Sequence, residues 1–237
     1  MSRNLLAIPC YNESENLKKF LPKLEPLRSF FDIVFINDGS ADSTKTALEQ
    51  AHYLVVSHPV NRGYPAAIRT GLEHALSHDY PYVCFIDSDG QHDPRYVSEA
   101  FDRAKESGAD LLIGSRFIEN THYHGAASRR LGMIFFRLLV KGFTGSVVRD
   151  TTSGFKVLNQ KAMRLALAEP RLGDFHAEFI IYLLRAGCRI AEMPVTVYSR
   201  EHGKSMYSWK DCAIYPLKTL RAILRVLYGA KPKESAA

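Results

Sequence analysis

Polar and apolar positions in the first half of the chain alternate between two patterns. Short apolar runs at Asn4–Ile8, Asp32–Ile36, Tyr53–Ser57, Tyr82–Ile86 and Asp110–Gly114 have the length and composition of strands. Between them, apolar residues recur at helical spacing: Leu17, Phe20, Leu21 and Leu24, then Ala47, Leu48 and Ala51, then Ile68, Leu72, Ala75 and Leu76. Asn12 and Glu15 have the spacing of a capping box ahead of the first helix. Asp42 is placed to cap the second, and Pro94 to open the helix before the fifth strand. Strands alternating with helices predict an α/β protein with a mostly parallel sheet.

From about Ser128 the pattern changes. Leu131, Ile134, Phe135, Leu138 and Leu139 form an apolar helical stripe, with Arg129, Arg130, Arg137 and Lys141 around it. A turn and a short strand near Phe155–Leu158 follow, then helices over Gln160–Ala168 and Phe175–Ala186 and a last strand over Arg189–Tyr198. Trp209–Tyr228 reads as helical with a break at Pro216, and the residues after Gly229 read as a flexible tail.

Composition narrows this only a little. A chain of 237 residues with 46% hydrophobic and 24% charged residues is ordinary for one globular α/β domain. The formal charge of +6 suits nucleotide phosphates, anionic lipid or nucleic acid. Nucleic acid has only that charge in its favour, since no recognisable module accompanies it. The four cysteines, Cys10, Cys84, Cys188 and Cys212, form no C-x-x-C pair, which argues against a zinc or redox motif and for a reducing, cytoplasmic setting. Met1–Ile8 is too short for a secretory signal, and no run of about 18 apolar residues suits a spanning helix. The expectation is a protein that touches a membrane without crossing it.

The strongest chemical signal is Phe85-Ile86-Asp87-Ser88-Asp89-Gly90-Gln91-His92-Asp93-Pro94. Two carboxylates one residue apart, at the carboxyl end of an apolar strand, lie where open α/β sheets bind ligands. A turn at Gly90 lets both face one crevice. Hard oxygen donors of this kind suit Mg²⁺ or Mn²⁺ bridging a diphosphate. Three further segments sit at strand-to-helix junctions: Ile8 to Asn16, with Tyr11 available to stack on a base; Ile36 to Thr44, with Asp38 ending the second strand; and Asn61 to Ala67.

These four segments, with Gly114-Ser115-Arg116, Asp150-Thr151-Thr152-Ser153-Gly154-Phe155 and Gly203-Lys204-Ser205, resemble the inverting GT-A glycosyltransferases. Within them they resemble family 2 and its dolichol- or polyprenyl-phosphate mannosyltransferase-like group, over about residues 4 to 210. Tyr64-Pro65 stand where such proteins commonly carry small residues. The resemblance implies a single GT-A domain over residues 1–229, doubly wound with helices on both sheet faces. Residues 1–115 would form the nucleotide-binding half, residues 116–229 the acceptor half and residues 230–237 a tail. It also implies roles. Pro9, Tyr11, Glu13 and Asp38 would hold the base and ribose; Asp87, Ser88 and Asp89 would meet the diphosphate; Asp89, Gln91 and Asp87 would ligate the metal. Arg116, Arg129 and Ser153 would meet the acceptor phosphate, and Arg116, Arg200 and Lys204 the donor.

A phosphate acceptor is already ionised and needs no base, whereas a hydroxyl acceptor does. Glu178 is the candidate base, with Asp174 and His176 as alternatives. The expected reaction is sugar transfer from GDP-mannose or a UDP-hexose to a polyprenyl or dolichyl phosphate. Its rivals are transfer to a hydroxyl of a cell-surface polysaccharide or glycan, and a non-catalytic nucleotide-sugar-binding scaffold.

Overall fold

The computed structural model describes residues 3–118, 127–173, 175–198, 219–225 and 228, with the backbone alone for 127–133. Its elements run β1 (Asn4–Cys10), α1 (Ser14–Leu24), a 3₁₀ turn (Glu25–Leu27), β2 (Phe31–Asn37), α2 (Thr44–Gln50), β3 (Leu54–Ser57), α3 (Tyr64–Ser77), β4 (Tyr82–Phe85), α4 (Tyr96–Ser107) and β5 (Leu111–Ser115). Then come α5 (Ala127–Thr144), β6 (Lys156–Asn159), α6 (Gln160–Ala168), α7 (Ala177–Arg185) and β7 (Ile190–Pro194). Residues 219–225 are helical.

The seven strands form one sheet in the order β3-β2-β1-β4-β6-β5-β7. All neighbours are parallel except β6, which runs antiparallel to both β4 and β5. Strand alternation feeds two cores. Leu5 and Ala7 of β1 join α3, α6 and α7 on one face, where Leu72, Met163 and Phe179 are fully buried. Leu6 and Ile8 join α1, α2 and α4 on the other, with Phe20, Leu48 and Phe101. The expected mostly parallel sheet with helices on both faces is the one observed. Among the described residues no helix is long and apolar enough to cross a membrane. Cys10, Cys84 and Cys188 are buried free thiols.

One local expectation is corrected and two are filled in. Asn12 caps no helix. It holds a left-handed backbone (φ 53°), and its Oδ1 accepts the Ala41 and Asp42 amides at 2.8 and 3.4 Å, so it ties two loops together. Asp42 serves two helix starts, accepting from Thr44 N at 3.0 Å and Ser14 N at 3.1 Å. On α5 the packed side is Phe136 and Val140, which turn toward the core, while Ile134, Phe135 and Leu138 of the expected stripe are exposed. Leu139 of the same stripe packs against the core, where α5 contacts α7.

The packing of α3 under the sheet generates a first prediction. A Cβ on Gly71 would come within 2.7 Å of Phe85 Cε1 and 3.4 Å of the Ala7 Cβ. Gly71→Ala is therefore expected to destabilise by about 1–3 kcal/mol, as overpacking of a full core does. The urea unfolding midpoint measures this.

Candidate active site

The site is built at the carboxyl ends of β1, β2 and β4. Beyond β4, Ile86 remains fully buried and the chain turns through Asp87, Ser88 and Asp89. The Ser88 hydroxyl donates to the Pro9 carbonyl at 3.0 Å, locking this turn to the end of β1. Asp89 is 3% exposed, and its Oδ1 accepts the Gln91 amide at 3.0 Å. The loop is held from its far side by the chain after β7. Gln91 Nε2 donates to the Tyr198 carbonyl at 3.3 Å, Tyr198 N donates to the Gln91 carbonyl at 2.9 Å, and His92 bridges Val197. The expected strand over Arg189–Tyr198 is thereby divided. It pairs with β5 as far as Pro194 and then meets the Asp89 loop.

Asp87 is held by residues that its own motif does not reveal. A Cβ on Gly154 would lie 2.3 Å from Asp87 Oδ2 and 3.0 Å from His92 Cε1, so only a glycine permits this approach. The Asp87 amide donates to His92 Nδ1 at 3.3 Å. That nitrogen therefore carries no proton, and its 3.6 Å separation from Asp87 Oδ2 is too long for a hydrogen bond. Burial likewise favours a neutral His92, against the pull of Asp87 and Asp89. Burial pushes the Asp87 carboxyl up; His92 and Lys156 act against it and Asp89 with it.

Behind this edge lies a group of buried charges. Arg116, after β5, grips Asp150 bidentately, with Nε to Oδ2 and Nη2 to Oδ1 both at 2.7 Å, and Nη2 also donates to Thr152 Oγ1 at 2.8 Å. Burial raises the Asp150 carboxyl, but the Arg116 guanidinium outweighs it and holds the group below the usual carboxylate range. Lys156 is 6% exposed in β6, opposite Phe85 of β4, and its ammonium donates to the Ser153 carbonyl. Burial pushes that ammonium down to about 8, although Asp87, Asp150 and Glu178 favour its charge.

The residues named from the sequence are distributed as follows. Pro9, Tyr11, Glu13, Asp38, Asp87, Ser88, Asp89 and Gln91 all lie at or just beyond the ends of β1, β2 and β4. Tyr11 is 44% exposed. Glu13 accepts from Asn16 Nδ2, and its amide donates to Thr44 Oγ1 at 2.8 Å. Asp38 faces the loop after β3: its oxygens accept the Arg62 and Gly63 amides at 2.9 and 2.7 Å and meet His58 Nδ1 at 2.6 Å. Ser153 is buried and its Oγ accepts the Phe155 amide. Glu178 is 2% exposed, and its Oε1 accepts the His176 amide at 3.2 Å, a capping contact at the start of α7. Burial, with the charges of Lys156 and Arg116, pushes His176 down to about 3, far from the range of a base at neutral pH. Arg129 lies on α5 with only its backbone described, and Asp174, Arg200 and Lys204 lie outside the described residues.

The donor set fits a hard divalent cation. Asp89 and Asp87 offer carboxylate oxygens and Gln91 an amide oxygen, the ligands that Mg²⁺ and Mn²⁺ prefer. Among the described residues no group of three or more His, Cys, Asp or Glu side chains forms a cage. One or two carboxylates, with the remaining positions left to phosphates and water, suit a cation shared with a diphosphate.

A mostly parallel sheet with one reversed strand, carrying two carboxylates beyond β4, defines the GT-A class of nucleotide-sugar transferases. The structure of glucosyl-3-phosphoglycerate synthase from Mycobacterium tuberculosis, in complex with Mn²⁺, UDP-glucose and phosphoglyceric acid, has the same fold. It superposes with a TM-score of 0.71 at 18% identity, over 95% of this chain and 79% of that one. The sequence profile of glycosyl transferase family 2 matches residues 6–167, and the chain belongs to that family. As a member it is a glycosyltransferase. The chain is 28% identical to the polyprenol monophosphomannose synthase of Mycolicibacterium smegmatis, over 87% of its own length and 81% of the relative's. It is 27% identical to the undecaprenyl-phosphate mannosyltransferase of Micrococcus luteus, over 87% and 88%.

Four participants were not singled out from the sequence: His92, Gly154, Asp150 and Lys156. Lys156 did leave a trace, as a lysine within the otherwise apolar Phe155–Leu158 strand. Its burial generates a second prediction. The folded-state value of about 8 lies below the ordinary 10.5, so between these pH values the unfolded chain binds more protons and stability rises with pH. Below about 8 the cost of the buried charge is fully present. Lys156→Met is expected to be more stable than the wild type near pH 7, with the gap closing as pH rises through that window. Denaturant midpoints at the two ends of the window read it, and a less stable variant at neutral pH contradicts it.

Proposed function

We propose that the protein transfers a hexose from a nucleoside-diphosphate sugar, GDP-mannose or a UDP-hexose, to a polyprenyl phosphate at the surface of a membrane. The observation that carries this reading is the pairing of two features on one sheet edge. Asp87 and Asp89 stand beyond β4, and the Arg116–Asp150–Thr152 group stands beyond β5. The first suits a diphosphate with its cation, and at the second Asp150 and Thr152 fix the orientation of the Arg116 guanidinium beside it. The sequence relatives named above, which carry polyprenol and undecaprenyl phosphate in their names, support the acceptor class.

In this reading Pro9, Tyr11 and Glu13 receive the base and ribose, and Asp38 shapes that pocket by holding the loop at Arg62 and Gly63. Asp87 and Asp89 orient the diphosphate, and Asp89 with Gln91 would hold Mg²⁺ or Mn²⁺. When bound, such a cation neutralises the charge that grows on the leaving group. An oxygen of the acceptor phosphate attacks the anomeric carbon from the face opposite the diphosphate. The bond to the diphosphate oxygen breaks with its electron pair, and the configuration inverts. Arg116, Arg129 and the basic residues Arg200 and Lys204 stabilise the two phosphate groups electrostatically. The attacking oxygen is already ionised, so no base is required. The burial of Glu178 and its use as a cap agree with this. Ser153, with its hydroxyl on the Phe155 amide, serves the phosphate group by shaping the turn after Asp150.

Two variants test the reading. Asp89→Ala is expected to abolish transfer from the donor while leaving the thermal melt intact; turnover like the wild type would remove the assigned metal role. Glu178→Gln keeps an oxygen for the His176 amide and is expected to retain most of the transfer to polyprenyl phosphate. A loss of about 100-fold or more, the scale of a deleted general base, would instead favour a hydroxyl acceptor. Thermal shifts with UDP, GDP and their sugar conjugates, each with and without Mn²⁺, identify the donor, because a ligand specific to the folded state raises its melting temperature.

A further inference from the structure

Beside Asp38 lies a buried histidine to which the proposed reaction gives no part. The parallel pairing of β2 and β3 sets Asn37 beside Ser57, so the two strands deliver Asp38 and His58 to the same edge of the sheet. The His58 amide donates to the Asn37 carbonyl at 2.9 Å, which fixes the histidine at the end of β3. Its ring spans two elements. Nδ1 meets Asp38 Oδ1 at 2.6 Å, and Nε2 meets Thr70 Oγ1 of α3 at 2.9 Å. Both Asp38 oxygens already accept backbone amides, from Arg62 and Gly63, so the carboxylate is the acceptor and Nδ1 carries the proton. The His58 and Asp38 side chains are 6% and 5% exposed, and a short hydrogen bond to a buried carboxylate is of the stronger, charge-assisted kind.

These contacts converge on the loop after β3. A Cβ on Gly39 would collide with the Val60 carbonyl carbon and the Asn61 nitrogen, so the Asp38–Gly39 turn lies directly on that loop. Gly63 has φ 89°, a backbone that favours glycine, and its amide is held by Asp38 Oδ2 at 2.7 Å. α3 begins with the next residue, Tyr64, whose hydroxyl donates to the Asp87 carboxylate. The loop is therefore a strap between two carboxylates of the site. The amides of Arg62 and Gly63 end on Asp38, and the side chain of Tyr64 ends on Asp87.

We propose that His58 is a positioning residue for donor binding: through Asp38 it holds the Arg62–Tyr64 strap in the form that receives the nucleotide, and Thr70 holds His58 in turn. The identity of the ligand rests on the reading in the previous subsection. The latch itself rests on the hydrogen bonds of His58 and Asp38. A buried histidine bonded at both nitrogens can also be filling alone. Removal of filling lowers stability and leaves the affinity of the folded protein unchanged, whereas removal of a latch changes that affinity.

The test is calorimetric titration of the full chain with UDP and with GDP, each with Mn²⁺, beside steady-state transfer assays. His58→Leu is expected to weaken binding of the accepted nucleotide, and to raise the donor KM, by about tenfold or more, the scale of a hydrogen bond to a charged group. Its kcat at saturating donor is expected to stay within about threefold of the wild type's. His58→Asn places an amide nitrogen near the position of Nδ1 and is expected to recover most of the lost affinity. Thr70→Val keeps the Asp38 contact and is expected to cost about threefold. Amide exchange at Arg62 and Gly63, read by NMR without ligand, is expected to quicken in His58→Leu. Nucleotide affinity in His58→Leu equal to the wild type's would overturn the proposal, as would a His58→Asn variant that loses as much as His58→Leu. Should the leucine variant fail to fold, Thr70→Val decides: affinity and exchange both equal to the wild type's would overturn the proposal. A wild type that binds neither nucleotide would remove the proposed function, while the exchange result still decides the latch.

Discussion

The Asp87 carboxylate lies against the backbone of Gly154, with no room between them for even a methyl group. This approach depends on β6 entering the sheet antiparallel between β4 and β5, because that insertion carries the Asp150–Phe155 turn to the end where β4 delivers Asp87. With a parallel strand in the same place, the turn would open at the other edge. The reversed strand is therefore what joins the Asp87–Asp89 turn beyond β4 to the Arg116–Asp150–Thr152 group beyond β5, and the rest of the site is arranged around it.

The same insertion fills the interior with charge. Lys156 enters opposite Phe85, Asp150 is 1% exposed at its side chain, and Arg116 follows it in from β5. A buried charge is costly even when paired, and an apolar replacement of similar shape is often more stable. These residues contribute less to stability than to field. They provide a fixed pattern of cation and anion behind the Asp87–Asp89 turn, held in place by the fold.

Most of the scaffold was legible because its first half obeys one rule. Apolar runs of strand length alternate with amphipathic helices, and the carboxylates follow the strand where α/β sheets bind ligands. The legible parts end where long-range contacts decide. Asn12 has a capping residue's spacing, but its carbonyl oxygen is taken by loop amides about thirty residues away. On α5 apolar residues stand at Phe136 and Val140 as well as along the stripe, and the contacts with α7 determine which of them are inside. Gln91 reads as a ligand, yet its amide nitrogen is held by Tyr198, 107 positions later. His92 and Gly154 gain meaning only when they meet Asp87, and no spacing rule connects residue 87 to residue 154.

The order of synthesis acquires significance from this arrangement. β4 and β5 are 25 residues apart, yet they never pair with each other; each waits for β6, which leaves the ribosome some forty residues after β5. Until then the nascent chain holds two strands with open edges facing a gap, the condition that invites misassociation with other chains. Closing that gap requires contacts distant in sequence, which form slowly. The step that relieves the exposed edges is also the one that brings Gly154 to Asp87. A chain in which that gap has not closed therefore lacks both a continuous sheet and the approach of Gly154 to Asp87, and β7 with the chain after it must still follow to cover the outer edge of β5 and brace the Asp89 loop.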